Sequence, residues 1–316
     1  MTIHKKFINQ LANVTSKAAL ASYYLIGKKD KISADKAAVD SMRNELNQLD
    51  INGKIVIGEG ELDEAPMLYI GEKIGNRNGP EIDIAVDPLE GTNFAANNLP
   101  GALSVIAIAK KNDLFNAPET YMQKIATRVT DSDVVDLDFP IRKNIFNLAE
   151  YLNKKPENLT ACILDRPRHK EIINELKSLK VNLHLISDGD ISGALMVTED
   201  KYKVDIFLGI GGGPEGVLAA TALDAYNCNF QGRFLFVTDK DKNRANKMGI
   251  RNLTKKYELN EIVSGDSIFC ATGITSGDLV SGIKVEKDNF ISETLVTHKS
   301  SGLKKKLIKI INDWFI

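Results

Sequence analysis

The sequence is poor in the features that would commit it to a redox, membrane or polyanion-binding role. Its 316 residues include three cysteines, Cys162, Cys228 and Cys270, an odd number spaced too widely for a zinc site or a disulfide framework. Each lies in an apolar stretch and reads as a small buried thiol in a reducing compartment. No apolar run approaches the ~20 residues that a membrane span needs. Ala18 to Ile26 is apolar and follows a mildly basic start, but Gly27-Lys28-Lys29-Asp30 stands where a signal peptide would carry its small-residue cleavage site. Charge is balanced, with 41 Lys+Arg against 42 Asp+Glu and a formal net charge of −1. No global positive field therefore gathers nucleic acid or an anionic membrane. At 43% hydrophobic and 26% charged, the chain has the ordinary globular mix, which excludes disordered and collagen-like classes. A soluble, cytoplasmic protein is expected, and at ~100–200 residues per domain the length predicts two domains.

Phe7, Leu11, Val14, Ala18 and Leu25 recur at helical intervals, predicting an amphipathic first helix. A second helix is expected from a Ser33 cap to about Leu49. Lys54 to Ile57 reads as a buried strand opening into the acidic loop Gly58-Glu59-Gly60-Glu61-Leu62-Asp63-Glu64, with a helix from about Ala65 to Ile74. The strand from Glu81 to Asp87 is expected to stop at Pro88, which cannot continue a ladder. Leu103 to Ala109 and Val134 to Leu137 are further strand candidates. Strand and helix then alternate: strand 160–164, helix 169–179, strand 181–186, a short helix 191–197, strand 204–208, a glycine loop 209–213 and helix 214–225. That alternation predicts an α/β half with a largely parallel sheet behind an α+β N-terminal half, divided near residue 155 into 1–155 and 156–316. The tail fits a helix through Leu303, Leu307, Ile310, Ile311 and Trp314 but is too short to exclude a strand.

Carboxylates stand beside glycines in three separate loops at predicted strand ends: Glu59, Asp87 with Glu90, and Glu215 in Gly-Gly-Gly-Pro-Glu-Gly. Ligand sites in open α/β sheets gather outside the carboxyl ends of strands. If these loops converge, each carboxylate pair ~4 Å apart repels by ~4 kcal/mol at an effective dielectric near 20, so cations must sit among them or some must stay protonated. Hard oxygen donors without His or Cys select Mg²⁺ or Mn²⁺ over zinc. Singly, each residue has a structural explanation: a solvated turn for Gly-Glu-Gly-Glu, a helix cap for Asp63, a first-turn carboxylate for Asp35 and Glu215. Asp87-Pro88-Leu89-Glu90-Gly91-Thr92 is the stronger unit. It joins two metal-type oxygens, backbone N–H groups suited to an anion, and a hydroxyl beside both. Gly209-Ile210-Gly211-Gly212-Gly213-Pro214 imitates a dinucleotide fingerprint, but Pro214 replaces the third glycine and no strand-end acid follows about 20 residues on.

Asp87 to Thr92 resembles the signature of the lithium-sensitive, metal-dependent sugar phosphatases, with Glu90 where the broader pattern has Asp. That variant, with Val56 to Lys73, Asn116-Ala117-Pro118, Pro167-Arg168-His169, Asp188-Gly189-Asp190, Gly209 to Gly216 and Ala271 to Asp278, is similar to the bacterial class II fructose-1,6-bisphosphatases over nearly the whole chain. The resemblance implies a layered α/β/α/β/α sugar-phosphatase fold, Mn²⁺ or Mg²⁺, a homo-oligomer, and hydrolysis of fructose 1,6-bisphosphate to fructose 6-phosphate, a step of gluconeogenesis. It implies Asp35, Glu59, Asp87, Glu90 and Glu215 as metal ligands and Glu90, Gly91 and Thr92 around the departing phosphate. Tyr121, Arg166, Pro167, Arg168, Asp188, Gly189, Asp190 and Gly212 would contact the sugar and its retained phosphate. Lys31, Asp63 and Thr92 would serve the catalytic centre, Thr92 orienting water and Asp63 taking its proton. Sedoheptulose-1,7-bisphosphatase or a broader sugar phosphatase is the alternative, with a nucleotide-linked oxidoreductase or an inactive sugar-phosphate sensor behind it. No nucleic-acid or membrane partner is expected.

Overall fold

In a computed structural model that describes residues 2–60, 67–287 and 289–311, the chain separates into two compact units, Met1–Phe115 with Val263–Ile316, and Asn116–Ile262. The expected division at residue 155 differs from this one. The last stretch of chain returns to the first unit because its strands complete that unit's sheet.

Strands and helices are numbered along the chain. The first unit carries β1 (Asn52–Ile57), β2 (Lys73–Ile74), β3 (Glu81–Glu90) and β4 (Leu103–Lys110). After the second unit it adds β11 (Ser267–Gly273), β12 (Lys284–Glu286), β13 (Asn289–His298) and β14 (Leu303–Ile311). These form an eight-stranded sheet in the order β12-β13-β11-β4-β3-β1-β2, with β14 also paired to β13. Within this sheet only β1 and β3 pair in parallel among the described strands. Helices α1 (Lys6–Tyr23) and α2 (Lys31–Asn47) pack on this sheet, and α3 (Thr92–Ala96) follows β3. The periodic residues of α1 are the buried ones: Phe7, Leu11, Val14 and Ala18 join Met42 and Leu46 of α2 and Ile84, Ile106 and Cys270 of the sheet in one core. Asp30, rather than Ser33, caps α2, its carboxylate accepting from the Ser33 N–H at 3.0 Å.

The second unit holds β5 (Tyr121–Thr127), β6 (Thr160–Leu164), β7 (Asn182–Ile186), β8 (Ile206–Gly212), β9 (Asn229–Leu235) and β10 (Lys256–Glu258). They make a six-stranded sheet in the order β10-β9-β5-β8-β6-β7. Its helices are α4 (Ile141–Tyr151), α5 (Lys170–Ser178), α6 (Asp190–Leu195), α7 (Gly213–Ala225), α8 (Asp239–Lys247) and α9 (Leu259–Ile262). Only β7, β6 and β8 are mutually parallel, while β5, β9 and β10 join antiparallel. The sheet is therefore mixed rather than largely parallel. Helix α7 is buried almost all round, as its apolar composition requires.

Four local expectations are corrected. Residues 61–66 lie outside the described residues, and 67–74 form turns and β2 rather than a helix. Their backbone is taken up by β1: Gly71 N–H donates to Ile55 O at 2.8 Å and Ile55 N–H to Glu72 O at 2.9 Å. β3 runs through Pro88 to Glu90, because the register with β4 shifts between Asp87 and Glu90 and the irregularity absorbs the missing N–H. Val134 to Leu137 are turn and coil, not strand. Side chains replace the ladder there, Asn144 Oδ1 accepting from Asp136 N–H at 2.9 Å and Gln231 Oε1 from Leu137 N–H at 2.8 Å. Gly209 to Gly212 extend β8 instead of forming a loop. The tail resolves as strand β14, with Trp314 outside the described residues.

Candidate active site

The parallel strands β6, β7 and β8 of the second unit run in one direction, and the segments that follow them carry Arg166 to Arg168, Asp188 to Asp190 and, in the first turn of α7, Gly213 to Glu215. Antiparallel β5 starts at the same edge, Tyr121 pairing in register with Gly212. The topology thus gathers residues scattered over almost 100 positions. Arg166 forms an ion pair with Asp188 at 3.6 Å. Pro167 opens a single 3-10 turn. It aims Arg168 back at β8, where its Nε donates to Ile210 O at 2.8 Å. The same guanidinium lies 5.0 Å from the Tyr121 ring centre, within cation–π range. Gly189 adopts φ 85°, the left-handed conformation that starts α6, and its N–H donates to Asp188 Oδ1 at 3.2 Å.

Asp190 is 8% exposed and forms an ion pair with Lys124, which is 1% exposed. A Cβ on Gly211 would overlap the Asp190 carboxylate, and one on Gly212 would overlap that of Glu215. These two glycines therefore clear space for two carboxylates on consecutive backbone positions. Burial pushes the Glu215 carboxyl above its usual range; the Lys124 ammonium opposes the rise and the Asp190 charge adds to it. Tyr121, Gly212, Pro214 and Glu215 share the wall of a cavity of about 530 Å³ with Glu119, Thr120, Val237 and Asp241.

In the first unit, Ile57 of β1 pairs in parallel with Ala85 of β3, and Glu59 and Asp87 each follow two residues beyond that pair, Glu59 past the end of β1 and Asp87 still within β3. Asp87 is half-buried and Glu90 is buried. Gly91 takes φ 78° and turns the chain into α3, whose first residue is Thr92. Helix α2 packs on both β3 and α3. The loop before it is tied to the end of α3, Gly27 N–H donating to Ala95 O and Lys29 N–H to Ala96 O, both at 2.9 Å. Lys31 and Asp35, one turn apart on one helix face, thereby lie on the element next to Thr92. Burial raises the Asp35 carboxyl above its usual range. The segment after α3 is braced by the Ala271–Asp278 stretch, Ala102 N–H donating to Thr275 Oγ1 at 2.9 Å.

Asp35, Glu59, Asp87, Glu90, Gly91, Thr92 and Lys31 belong to this unit, and Glu215 to the other. Asp63 lies outside the described residues. Among the described residues no three carboxylate, imidazole or thiolate groups stand close enough to form a ready metal cage. Two residues escaped sequence reasoning. Lys124 is a buried cation on a strand whose other buried positions are Met122, Ile125, Ala126 and Thr127, a pattern visible only once β5 is recognised. His169 was visible in Pro167-Arg168-His169, and it is fully buried against Leu164 and Ile210.

A family profile described as "Bacterial fructose-1,6-bisphosphatase, glpX-encoded" matches residues 5–312. The chain is 41% identical over 315 residues to "Fructose-1,6-bisphosphatase 1 class 2" of Escherichia coli K12, covering 95% of this chain and 94% of that protein. It is 39% identical over 308 residues to "D-fructose 1,6-bisphosphatase class 2/sedoheptulose 1,7-bisphosphatase" of Prochlorococcus marinus MIT 9301, covering 93% and 92%. No described helix is long and apolar enough to cross a membrane. Matched from end to end, the chain belongs to the bacterial, glpX-encoded family of fructose-1,6-bisphosphatases.

Proposed function

We propose that the chain hydrolyses fructose 1,6-bisphosphate to fructose 6-phosphate and inorganic phosphate, with Mn²⁺ or Mg²⁺ as its required cation. The observation carrying this reading is the family match over residues 5–312. The donor chemistry agrees with it: an all-carboxylate set suits hard divalent cations. So does Asp35, a carboxyl raised by burial. Asp35, Glu59, Asp87, Glu90 and Glu215 would hold the cations. When bound, such ions supply charge neutralisation for the phosphate and acidify a water.

The chain's own residues bind and position. Glu90, Gly91 and Thr92 surround the departing phosphate, the Thr92 hydroxyl orienting the attacking water and Asp63 accepting its proton. Lys31 supplies an ammonium near that phosphate. At the far end of the sugar, Arg166 and Arg168 grip the retained phosphate, for which a planar guanidinium offers two parallel N–H donors. The Arg168 Nε is committed to Ile210 O, so its two terminal nitrogens serve the phosphate. Pro167 fixes the turn between the arginines, and Tyr121, Asp188, Gly189, Asp190 and Gly212 contact the sugar. Side-chain acid–base work is worth ~10²–10⁴-fold, so positioning and charge stabilisation carry the larger share.

Sedoheptulose 1,7-bisphosphate is the second substrate to examine, because the Prochlorococcus relative is named for both activities. We also take the enzyme to be a cytoplasmic homodimer or homotetramer, which sedimentation velocity tests. Phosphate release from both bisphosphates, with and without Mn²⁺ and without nucleotide, tests the main reading. Cation-dependent release from fructose 1,6-bisphosphate is expected. Replacing Arg166 and Arg168 together by Ala should impair bisphosphate use far more than cleavage of a small monophosphate, and equal losses would refute the assignment.

A further inference from the structure

We infer that His169 is a positioning residue for the sugar-phosphate clamp: it holds Ile210, and through Ile210 the guanidinium of Arg168. The inference rests on the reading of Arg168 as a phosphate contact. β8 keeps register with β6 only at Ala161↔Ile206 and Cys162↔Phe207. Farther along, β8 continues to Gly212 with β5 on one side, while β6 stops at Leu164 on the other. Ile210 therefore presents an N–H and a C=O to a side where the ladder has run out. Two consecutive side chains take the place of the missing strand. His169 Nε2 accepts from Ile210 N–H at 2.7 Å, and Arg168 Nε donates to Ile210 O at 2.8 Å. The opposite ring nitrogen, Nδ1, donates to Leu164 O at 2.7 Å. A carbonyl can only accept, so Nδ1 must carry the proton and Nε2 must be the bare acceptor.

The surroundings are built for that neutral ring. His169 is 0% exposed, and burial holds its basicity below the usual range. Gly209 leaves room for it: a Cβ there would stand 3.1 Å from Nε2, at a backbone φ of +149° that side chains rarely adopt. The imidazole thus bridges the end of β6 to the glycine stretch of β8. Gly212 and its in-register partner Tyr121, whose ring lies under Arg168, are set by the same strand. An exposed arginine held only by its own rotamers would lose entropy on every binding event, whereas one fixed at Nε and stacked on a ring loses less.

The test is steady-state kinetics with fructose 1,6-bisphosphate at saturating Mn²⁺. Removal of a buried acceptor leaves Ile210 N–H unpaired, so His169→Leu should raise KM roughly tenfold or more while kcat falls by less than about twofold. His169→Gln, whose Oε1 can reach the Nε2 position, should recover most of the affinity. His169→Asn, which carries its acceptor nearer the backbone, should not. Arg168→Ala should also raise KM, and adding His169→Leu to it should cost little more. If Arg168→Ala leaves KM unchanged, the clamp reading itself fails. If Arg168→Ala raises KM but His169→Leu does not, or if the two effects simply multiply, His169 does not act through Arg168. Should His169→Leu not accumulate as folded protein, the Gln and Asn variants decide alone, and equal KM values for those two overturn the inference.

Discussion

Lys124→Met would take the ammonium out of a buried ion pair and leave an apolar chain of similar length. Lys124 is 1% exposed and its partner Asp190 is 8% exposed. Two unit charges ~4 Å apart attract by ~4 kcal/mol at an effective dielectric near 20. The intact pair returns much less than that to net stability, since both ions gave up water to form it. Loss of one partner is different, because the other stays buried without compensation, at a cost of ~3–5 kcal/mol. Here the stranded Asp190 also keeps company with Glu215, whose carboxyl is raised by burial and by the Asp190 charge and is lowered by the Lys124 ammonium. The expected loss at pH 7.5 is therefore ~3–5 kcal/mol rather than the ~1 kcal/mol of an average substitution.

The pH dependence separates electrostatics from packing. Glu215 has its folded-state pKa raised, so its charge costs stability above the ordinary glutamate range and costs nothing once it is protonated in both states. Without Lys124 that rise becomes larger. The gap between wild type and Lys124→Met should therefore be widest near pH 7.5 and shrink as pH falls towards ~4.5. Urea unfolding followed by circular dichroism, on protein stripped of divalent cations, measures it. Adding Asp190→Asn to Lys124→Met should restore most of the loss, since it removes the stranded charge. A loss below ~1 kcal/mol, or the same loss at both ends of the pH range, would show that packing and not charge determines the effect.

Asp35→Asn should have opposite effects with and without cation. Burial raises the Asp35 pKa, so its ionised form costs stability above the ordinary aspartate range; the amide should stabilise the metal-stripped protein at pH 7 by ~0.5 kcal/mol, allowing for screening at a half-buried position. The rise in thermal midpoint on adding Mn²⁺ should shrink at the same time, and an unchanged Mn²⁺ effect would remove Asp35 from the ligand set. His169 gives a second pH signature. Burial chiefly, with the Arg168 charge, lowers its folded pKa against the opposing Asp190 charge and the bonds to Leu164 and Ile210. Its contribution is therefore complete above ~6.5 and lost as pH falls through the folded value, at up to ~1.4 kcal/mol per pH unit. Subtracting the urea midpoints of His169→Gln from those of wild type isolates that slope, and parallel curves from pH 5 to 7.5 would contradict it.

What could be read from the sequence was what local chemistry determines. The stripe of Phe7, Leu11, Val14 and Ala18 specified α1, and strand-end groups such as Asp87 to Thr92 announced themselves because glycine, carboxylate and hydroxyl sit within six residues. Pairing over long separations was not readable. β14 completes a sheet begun near residue 52, so no single cut along the chain separates the two compact units. Pro88 was a sound stop signal that a register shift overrode. Val134 to Leu137 had strand composition, but Asn144 and Gln231, the latter 94 residues away, satisfied its backbone instead.

The same distinction applies to function. A ligand-touching residue has to be exposed at a strand end, and so tends to be embedded in a short motif of turn residues that a reader can recognise. The residues that hold such a motif in shape are under no such requirement. Lys124 stands 66 positions from Asp190, and His169 is 41 from Ile210, each in a stretch with no glycine-rich signature of its own. Both are nevertheless buried polar groups whose partners belong to the predicted site or adjoin it, and burying an ammonium or an imidazole costs free energy that a leucine would not. Where hydrophobic replacement would serve packing as well or better, as it does for many buried ion pairs, retention of a polar group beside a binding edge points to geometry rather than stability. On that argument the kinetic split between His169→Leu and His169→Gln carries more information than either variant's stability. A group kept for geometry is replaceable by another acceptor in the same place, and one kept for bulk is replaceable by leucine.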